Sequence, residues 1–591
     1  MTRAAALFAA GLSLLSLAPS LAWAQESEPT KDASFKDLTF KDIRYSPRTL
    51  DEFGAKKAFV LFFATETCPI AKRYLPEIKR LSEHYAKHQI QFVVVSADRD
   101  RDLVRMAAFA LRHDLSLPVV KDAGGHAAKA LGITRSPEVA VLDARFRLRY
   151  RGRVDDRVKL GGQRPQASRR DLVEALEELL DGKAISVPRT PVDGCRLSQQ
   201  KPAPPKEAPT YARDVEPLLR RHCLDCHRPK GSAPFPLTTY EDVNRIDSMI
   251  AEGVAERRMP PWFAEGGAEK FSNHRGLSAD ERRLIVDWVR AGAPKGDPKQ
   301  LAEPPVFPKG KWSIGEPDLV IGMKGSIKVL ADGYMPYQYV MLKHRFEHDT
   351  WVSKLEIVGD NPEVLHHCNV FFLRPGKAFE SSQIVAGKVP GGAALDLEPG
   401  VATLIPKGAI LGLQIHYQPN GTAVQDRVSI GLAFPKAPVQ KRFRAAIIED
   451  KTFAIPPGAG HHRVAASYTF TEDVVSGGVL GHMHLRGKDV TFRATYPDGR
   501  SEFLLRVPNY SFDWQMAYAF KTPKRFPKGT RIDCVAHFDN SKFNPFNPDP
   551  KRTVRYGLQS NEEMMYCFAF YVNETEALGI RVDPKTGAPL K

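Results

Sequence analysis

The sequence predicts a multidomain chain: an α/β domain first, a small all-α domain next, and two all-β sandwich domains at the end. Three observations predict it. Between residues 58 and 142 apolar strand-like runs alternate with helical patterns. From 211 to 292 helical patterns surround Cys223-Leu224-Asp225-Cys226-His227. Beyond 310, short alternating segments bounded by Gly, Pro, Asn and Asp continue to about residue 580. At 591 residues the chain is too long for one hydrophobic core.

Residues 1–24 carry Arg3, an apolar run over 4–21 and Ala22-Trp23-Ala24 before Gln25, the pattern of a secretory signal peptide with an A-x-A cleavage site. The run is short and broken by Pro19, which argues against a retained anchor. No later run is apolar for long enough to span a bilayer. The expectation is an exported protein, periplasmic or secreted, with no membrane span in the mature chain. The formal net charge is +16. The basic run at 145–153 reads as a solvated surface, and no motif points to nucleic acid.

Residues 25–197 form the first expected domain. Residues 58–63 are a buried strand, Cys68-Pro69 opens a helix over 74–84, residues 90–96 are a second buried strand, and Ser136-Pro137 precedes a strand at 138–142. A thiol at a helix N-terminus has a lowered pKa, because the helix dipole favours thiolate. The pattern resembles the thioredoxin-like or redoxin domains, with Pro137 in the place of their cis proline. Cys68-Pro69-Ile70-Ala71 lacks the second cysteine of a CxxC, and Leu61 stands where the peroxiredoxin pattern has proline. Two readings stand. Cys68 pairs with Cys195 as attacking and resolving thiols, or the domain is a docking module with a leftover cysteine.

Residues 198–209 are a Pro-rich linker. In the expected domain at 210–300, residues 211–219 are helical in pattern and Cys223, Cys226 and His227 make the CxxCH signature of covalent c-type haem attachment. Two cysteines on one helical turn reach the two vinyl groups and leave His227 as axial ligand. A zinc knuckle would need four ligands, and no second CxxC is nearby. Arg258-Met259-Pro260-Pro261-Trp262 resembles a segment of cytochrome-c-like domains in which methionine is the sixth ligand, which points to Met259. Met249 reads as core. Ser278 with Glu281 is a capping signature for a closing helix. Residues 301–311 form a second linker.

The β region, divided at 312–440 and 441–591, holds the remaining candidate ligands. They are His366 and His367, then His416 on the polar side of a strand at 410–417, then His482 and His484 just before a strand at 490–496, and finally Met564 or Met565. Two histidines two apart on a strand point to one side and can chelate one ion. Imidazole with thioether suits copper. Adjacent His366 and His367 would point to opposite faces of a regular strand, so both reach one ion only where the backbone bends or different ring nitrogens are used. Tyr510, Asp513, Trp514 and Gln515 lie between two strand-like runs, where packing and turn roles are at least as natural as a place in the site.

These motifs together resemble the copper type II, ascorbate-dependent monooxygenases, the family of peptidylglycine alpha-hydroxylating monooxygenase and dopamine beta-monooxygenase. The resemblance implies two jelly-roll-like sandwiches, each holding one copper ion. It places one copper on His366, His367 and His416, which stores an electron, and the other on His482, His484 and Met564, where O2 reacts. Met564 is preferred because the family has methionine after an acidic residue, here Glu563; Met565 stays as the alternative. The implied activity is hydroxylation of a substrate C–H bond, on a small molecule or a peptide, with electrons from ascorbate or a periplasmic redox protein. One covalent haem on the same chain points to a tethered donor. Cys534 and Cys567, placed in the same sandwich, are expected to form a disulfide, and Cys368 is a buried bystander. Two other functions stand beside this one: a copper-binding electron-transfer protein without hydroxylase activity, and a haem-fed thiol peroxidase or reductase.

Overall fold

The computed structural model describes residues 33–98, 102–159, 162–197, 207–229, 231–307, 310–374, 376 and 383–590. The expected signal peptide and most of the 198–209 linker lie outside the described residues. No helix among the described residues is long and apolar enough to cross a membrane.

The N-terminal domain is a seven-stranded sheet flanked by helices. Ala58–Ala64, Ile90–Ser96 and Val119–Lys121 run parallel at its centre, and Glu138–Asp143 and Leu148–Gly152 add antiparallel on one side. Every residue of Ala58–Ala64 is buried, as a strand covered on both faces requires. The Pro69–Ala86 helix starts earlier than its sequence pattern suggests, with Cys68 as N-cap and Pro69 in the first turn, where a missing N–H costs nothing. Pro137 is cis, as expected. The two-residue strand Cys195–Arg196 returns to pair with Arg135–Ser136, setting Cys195 opposite Ser136.

The following segment is helical: Glu216–His222, Tyr240–Asn244, Asp247–Ala255 and Ala279–Arg290, the last with the Ser278/Glu281 capping box in place. Met249, expected in the core, is 49% exposed, because the short Asp247–Ala255 helix buries only Gly253 and Val254. Trp262, Phe263 and Phe271 leave this segment and join the core of the second sandwich.

Strands from 319 to 433 build one sandwich and strands from 444 to 573 another. The first pairs the sheet Leu319–Gly322, Val428–Ala433, Lys354–Gly359, Leu395–Asp396 with the sheet Gln338–Arg345, Ile410–Tyr417, Leu365–Leu373, Ile384–Lys388. The second pairs Arg444–Asp450, Met565–Asn573, Val474–His482, Tyr518–Phe526 with His462–Thr469, Arg531–Phe538, Gly487–Thr495, Ser501–Val507. Cys368 is fully buried among the aliphatic residues of the first core.

Candidate functional sites: a histidine chamber and a buried thiol pair

In the Ile410–Tyr417 strand, Leu411, Leu413 and Ile415 face the first core, so His416 lies on the outer face of the sheet. The neighbouring strand pairs Leu365 with Tyr417 but His367 with His416, which leaves His366 as the extra residue of a β-bulge. A bulge breaks strict alternation. Both adjacent rings therefore come to the His416 side, with centroids 4.2 Å apart for His366 and His367 and 5.2 Å for His367 and His416. One ligand atom from each of the three histidines lies within 4.8 Å of the others. His366 Nδ1 is buried without a hydrogen-bond partner, and His367 Nδ1 faces His416 Nδ1 at 3.4 Å. An orphaned nitrogen beside two facing ring nitrogens is a donor set that one shared cation would satisfy.

The second pair sits across from this trio. Val474–His482 ends at His482, and the next residues turn, yet the His482 and His484 rings stand 5.1 Å apart. Met483 between them is fully buried in the second core. The Tyr510 hydroxyl accepts from Met483 N–H at 3.0 Å and donates to its carbonyl at 2.6 Å. Gly487 allows that approach: a Cβ there would meet the Tyr510 ring at 2.7 Å and Met483 at 2.8 Å. Met565 packs inside the second core, whereas Met564 lies outside that cluster. The buried Glu563 carboxylate ties Met564 to the histidines, accepting from His484 N–H at 2.9 Å, Met564 N–H at 3.1 Å and Arg486 N–H at 2.6 Å. Burial raises the Glu563 carboxyl to about 7 despite those hydrogen bonds.

The loop between the two halves closes the chamber. The Phe512 ring lies 5.1 Å from His367, 5.7 Å from His416 and 6.1 Å from His484. Asp513 Oδ1 is 3.5 Å from His366 Nε2. Gln515 Oε1 bonds His482 Nδ1, while its Nε2 is 3.4 Å from His367 Nε2. Burial pushes His366, His416 and His482 down to about 4, and drives His367 and His484 well below the usual histidine value, helped by neighbouring imidazoles. All five are thus neutral imidazoles at pH 7, the form that binds metal. Phe512, Gln515 and Glu563 were not assigned to the site on sequence grounds. Their only signal was position, in a turn between strands and one residue before Met564.

The thiol pair forms through tertiary contacts. Cys68 is buried at the helix N-terminus; its sulfur accepts from Ala71 N–H at 3.5 Å and its thiol lies 2.9 Å from the Ser136 carbonyl. Burial raises the Cys68 pKa, but the hydrogen bonds from Ala71, Cys195 and Ser136 outweigh it and hold the thiol below the usual cysteine value. Burial and then the adjacent Cys68 push Cys195 up to about 11. Both are free thiols, and Cys195 is the more exposed.

Cys223, Cys226 and His227 occupy one turn, with Cys226 N–H and His227 N–H both donating to the Cys223 carbonyl. His227 Nδ1 bonds the Phe235 carbonyl at 3.0 Å, which leaves Nε2 free to act as a ligand. That geometry suits a covalent haem. Met259 is 38% exposed and belongs to neither apolar cluster of the helical segment. Cys534 and Cys567, the expected disulfide partners, lie on facing sheets of the second sandwich, both buried and in side-chain contact with each other.

No curated protein matches the chain. Among solved structures, a hypothetical protein from Sinorhizobium meliloti is 24% identical over 30% of this chain and 96% of its own, with a TM-score of 0.27. An uncharacterized conserved protein from Geobacillus kaustophilus is 22% identical over 28% of this chain and 89% of its own, TM-score 0.26. A secreted Mycobacterium tuberculosis disulfide oxidoreductase homologous to E. coli DsbE is 16% identical over 24% of this chain and 94% of its own, TM-score 0.18. Residues 30–168 match the Redoxin family. The N-terminal part of the chain is therefore a redoxin domain of thioredoxin-like fold, joined to a long region rich in β-sheet.

Proposed function

We propose that the chain is an exported oxidoreductase with two redox centres, of which the thiol centre in the redoxin domain has the firmer support. The observation that carries it is the contact between Cys68, a low-pKa thiol at a helix N-terminus, and Cys195, brought back by the strand opposite Ser136. The Cys68 thiolate attacks a substrate disulfide and releases one substrate thiolate. Cys195, after losing its proton, attacks the Cys68 sulfur and releases the second. The chain ends with a Cys68–Cys195 disulfide and has given two electrons to the substrate. Cys68 is buried, and Cys195 beside it is the more exposed of the two thiols. In the test, reduced protein is mixed with a model disulfide. Cys195→Ser should trap a mixed disulfide on Cys68, and wild type should release two thiols per chain. A protein that releases none, with Cys195→Ser forming no adduct, would return the domain to a docking role.

A second reading is favoured by the convergence of His366, His367 and His416 on one side of Gln515 and of His482 with His484 on the other. It is an O2-dependent copper monooxygenase acting on a small molecule or peptide. Copper held there would supply one-electron transfer and O2 activation. The residues of this chain would fix six neutral donors, keep them dry, and orient the trio and the pair through Gln515. A haem on Cys223, Cys226 and His227 would be tethered on the same chain and would supply the electrons. Metal analysis with Cu(II) EPR tests this reading. Two coppers and one haem per chain, with one copper signal lost or altered in His482→Ala and Met564→Ala, support it. Absence of stoichiometric copper after loading sinks it.

A further inference from the structure

Away from the histidine chamber, a second set of donors joins two domains. Asp114 belongs to the redoxin domain, just after the Leu103–Arg112 helix, and takes φ 49°, in the left-handed region that aspartate tolerates better than most residues. His461 and His537 belong to the second sandwich. The ladder pairs His462 with Phe538 and Arg463 with His537, so His461 falls beside His537 at the strand end. Their rings stack with centroids 3.9 Å apart at 10°. One ligand atom from each of Asp114, His461 and His537 lies within 4.8 Å of the others.

We propose that Asp114, His461 and His537 bind a borderline divalent cation such as zinc, which clamps the redoxin domain to the second sandwich. Two histidines and one carboxylate make a three-ligand zinc set with a fourth position for water. The surrounding hydrogen bonds select the right atoms. His537 Nδ1 donates to Asp489 Oδ1 at 2.6 Å, which leaves Nε2 as the donor atom and gives the carboxylate–histidine support common behind metal ligands. His461 Nε2 is buried with no hydrogen-bond partner and lies 3.8 Å from Asp114 Oδ1. Asp114 Oδ2 and its carbonyl already hold Lys79, so Oδ1 is the oxygen that faces the rings. The Asp114 side chain is 69% exposed, which gives the ion a way in, and the inner side borders a cavity of about 140 Å³ lined by both domains.

Two lysines face the site. Lys79 is paired with Asp114. Lys488 Nζ sits 3.2 Å from both the Gly460 carbonyl and His461 Nδ1. For His461 Nε2 to bind a cation, the ring proton must sit on Nδ1, which faces Lys488 Nζ. Closing the three donors onto zinc at about 2.0–2.2 Å needs the exposed aspartate to move inward and the two stacked rings to tilt so that both Nε2 lone pairs meet one ion.

This site shares no residue with the copper and thiol centres and stands whether or not they do. The test uses full-length protein dialysed against zinc, freed of excess, and assayed for metal. The variants are Asp114→Asn, an exposed change that leaves both cores intact, and His461→Gln. Wild type should retain one more zinc per chain than either variant, and added zinc should raise the melting temperature of wild type more than that of Asp114→Asn. His416→Gln, in the chamber, should keep this equivalent. Equal zinc content in wild type and Asp114→Asn would overturn the proposal.

Discussion

His367 and His482, on different sandwiches, are held by one side chain: Gln515 places its Nε2 at His367 and its Oε1 at His482. The trio and the pair therefore share one partner, and a change in the orientation of either set is felt by the other. Phe512, three residues earlier, fills the space between them.

Gln515→Ala should leave copper stoichiometry unchanged after loading but alter the Cu(II) EPR parameters of both sites. Loss of a supporting partner commonly weakens metal affinity about 10–100-fold. Unaltered spectra would show that the two sets are oriented independently of Gln515.

Cys68 should react as thiolate below the pH at which an ordinary cysteine does. Its folded pKa is lowered, so the charged form is already favoured there. Alkylation rate against pH should show a midpoint below about 8.5, and that midpoint should rise in Cys195→Ala, which removes one of the hydrogen bonds. A midpoint at or above about 8.5 in wild type would contradict the stabilisation of the thiolate by its three hydrogen-bond partners.

The chain has seven cysteines, and a covalent haem would occupy Cys223 and Cys226. In denatured, reduced haem-loaded protein the other five should titrate. After mild oxidation only Cys368 should, because Cys68 has Cys195 and Cys534 has Cys567 as contact partners, whereas Cys368 is buried among aliphatic side chains. Three titratable thiols after oxidation would mean that one of the two pairs does not close.

The copper-free protein should lose stability on acidification. Histidines in the unfolded chain take up protons near 6.5, while His366, His416 and His482 do so only at about 4. Between those values the unfolded state binds more protons, so stability falls as pH falls. Glu563, raised to about 7, acts in the opposite direction over part of the same window, but it is one group against several. Each proton bound by the unfolded chain alone costs about 1.4 kcal/mol for every pH step of one, so the net loss between about pH 7.5 and pH 5 should be a few kcal/mol. A urea midpoint unchanged or higher at the acidic end would refute the assignment of these rings as buried and neutral.

Much of this was legible in one dimension. The buried strand Ala58–Ala64, the thiol at the start of Pro69–Ala86, the Ser278 cap and the polar side of Ile410–Tyr417 are local patterns, and local sterics and alternation suffice to read them. The candidate ligands were also visible as residue types at motif spacing. Met249 was misread because helical periodicity does not show which helices have a partner to bury against.

What the sequence alone determined is the inventory: a redoxin-like strand and thiol, a CxxCH turn, five histidines and a methionine in strand-rich surroundings. What only the tertiary structure decided is which of them meet. The bulge between Leu365 and His367 turns two adjacent rings to one side, which alternation forbids in a regular strand. A strand return sets Cys195 beside Cys68 where no local CxxC exists. The cluster of Asp114, His461 and His537 is shared by two domains and leaves no motif at all. Local rules act over a few residues. These contacts depend on sheet register and domain docking, which are settled only when the cores pack.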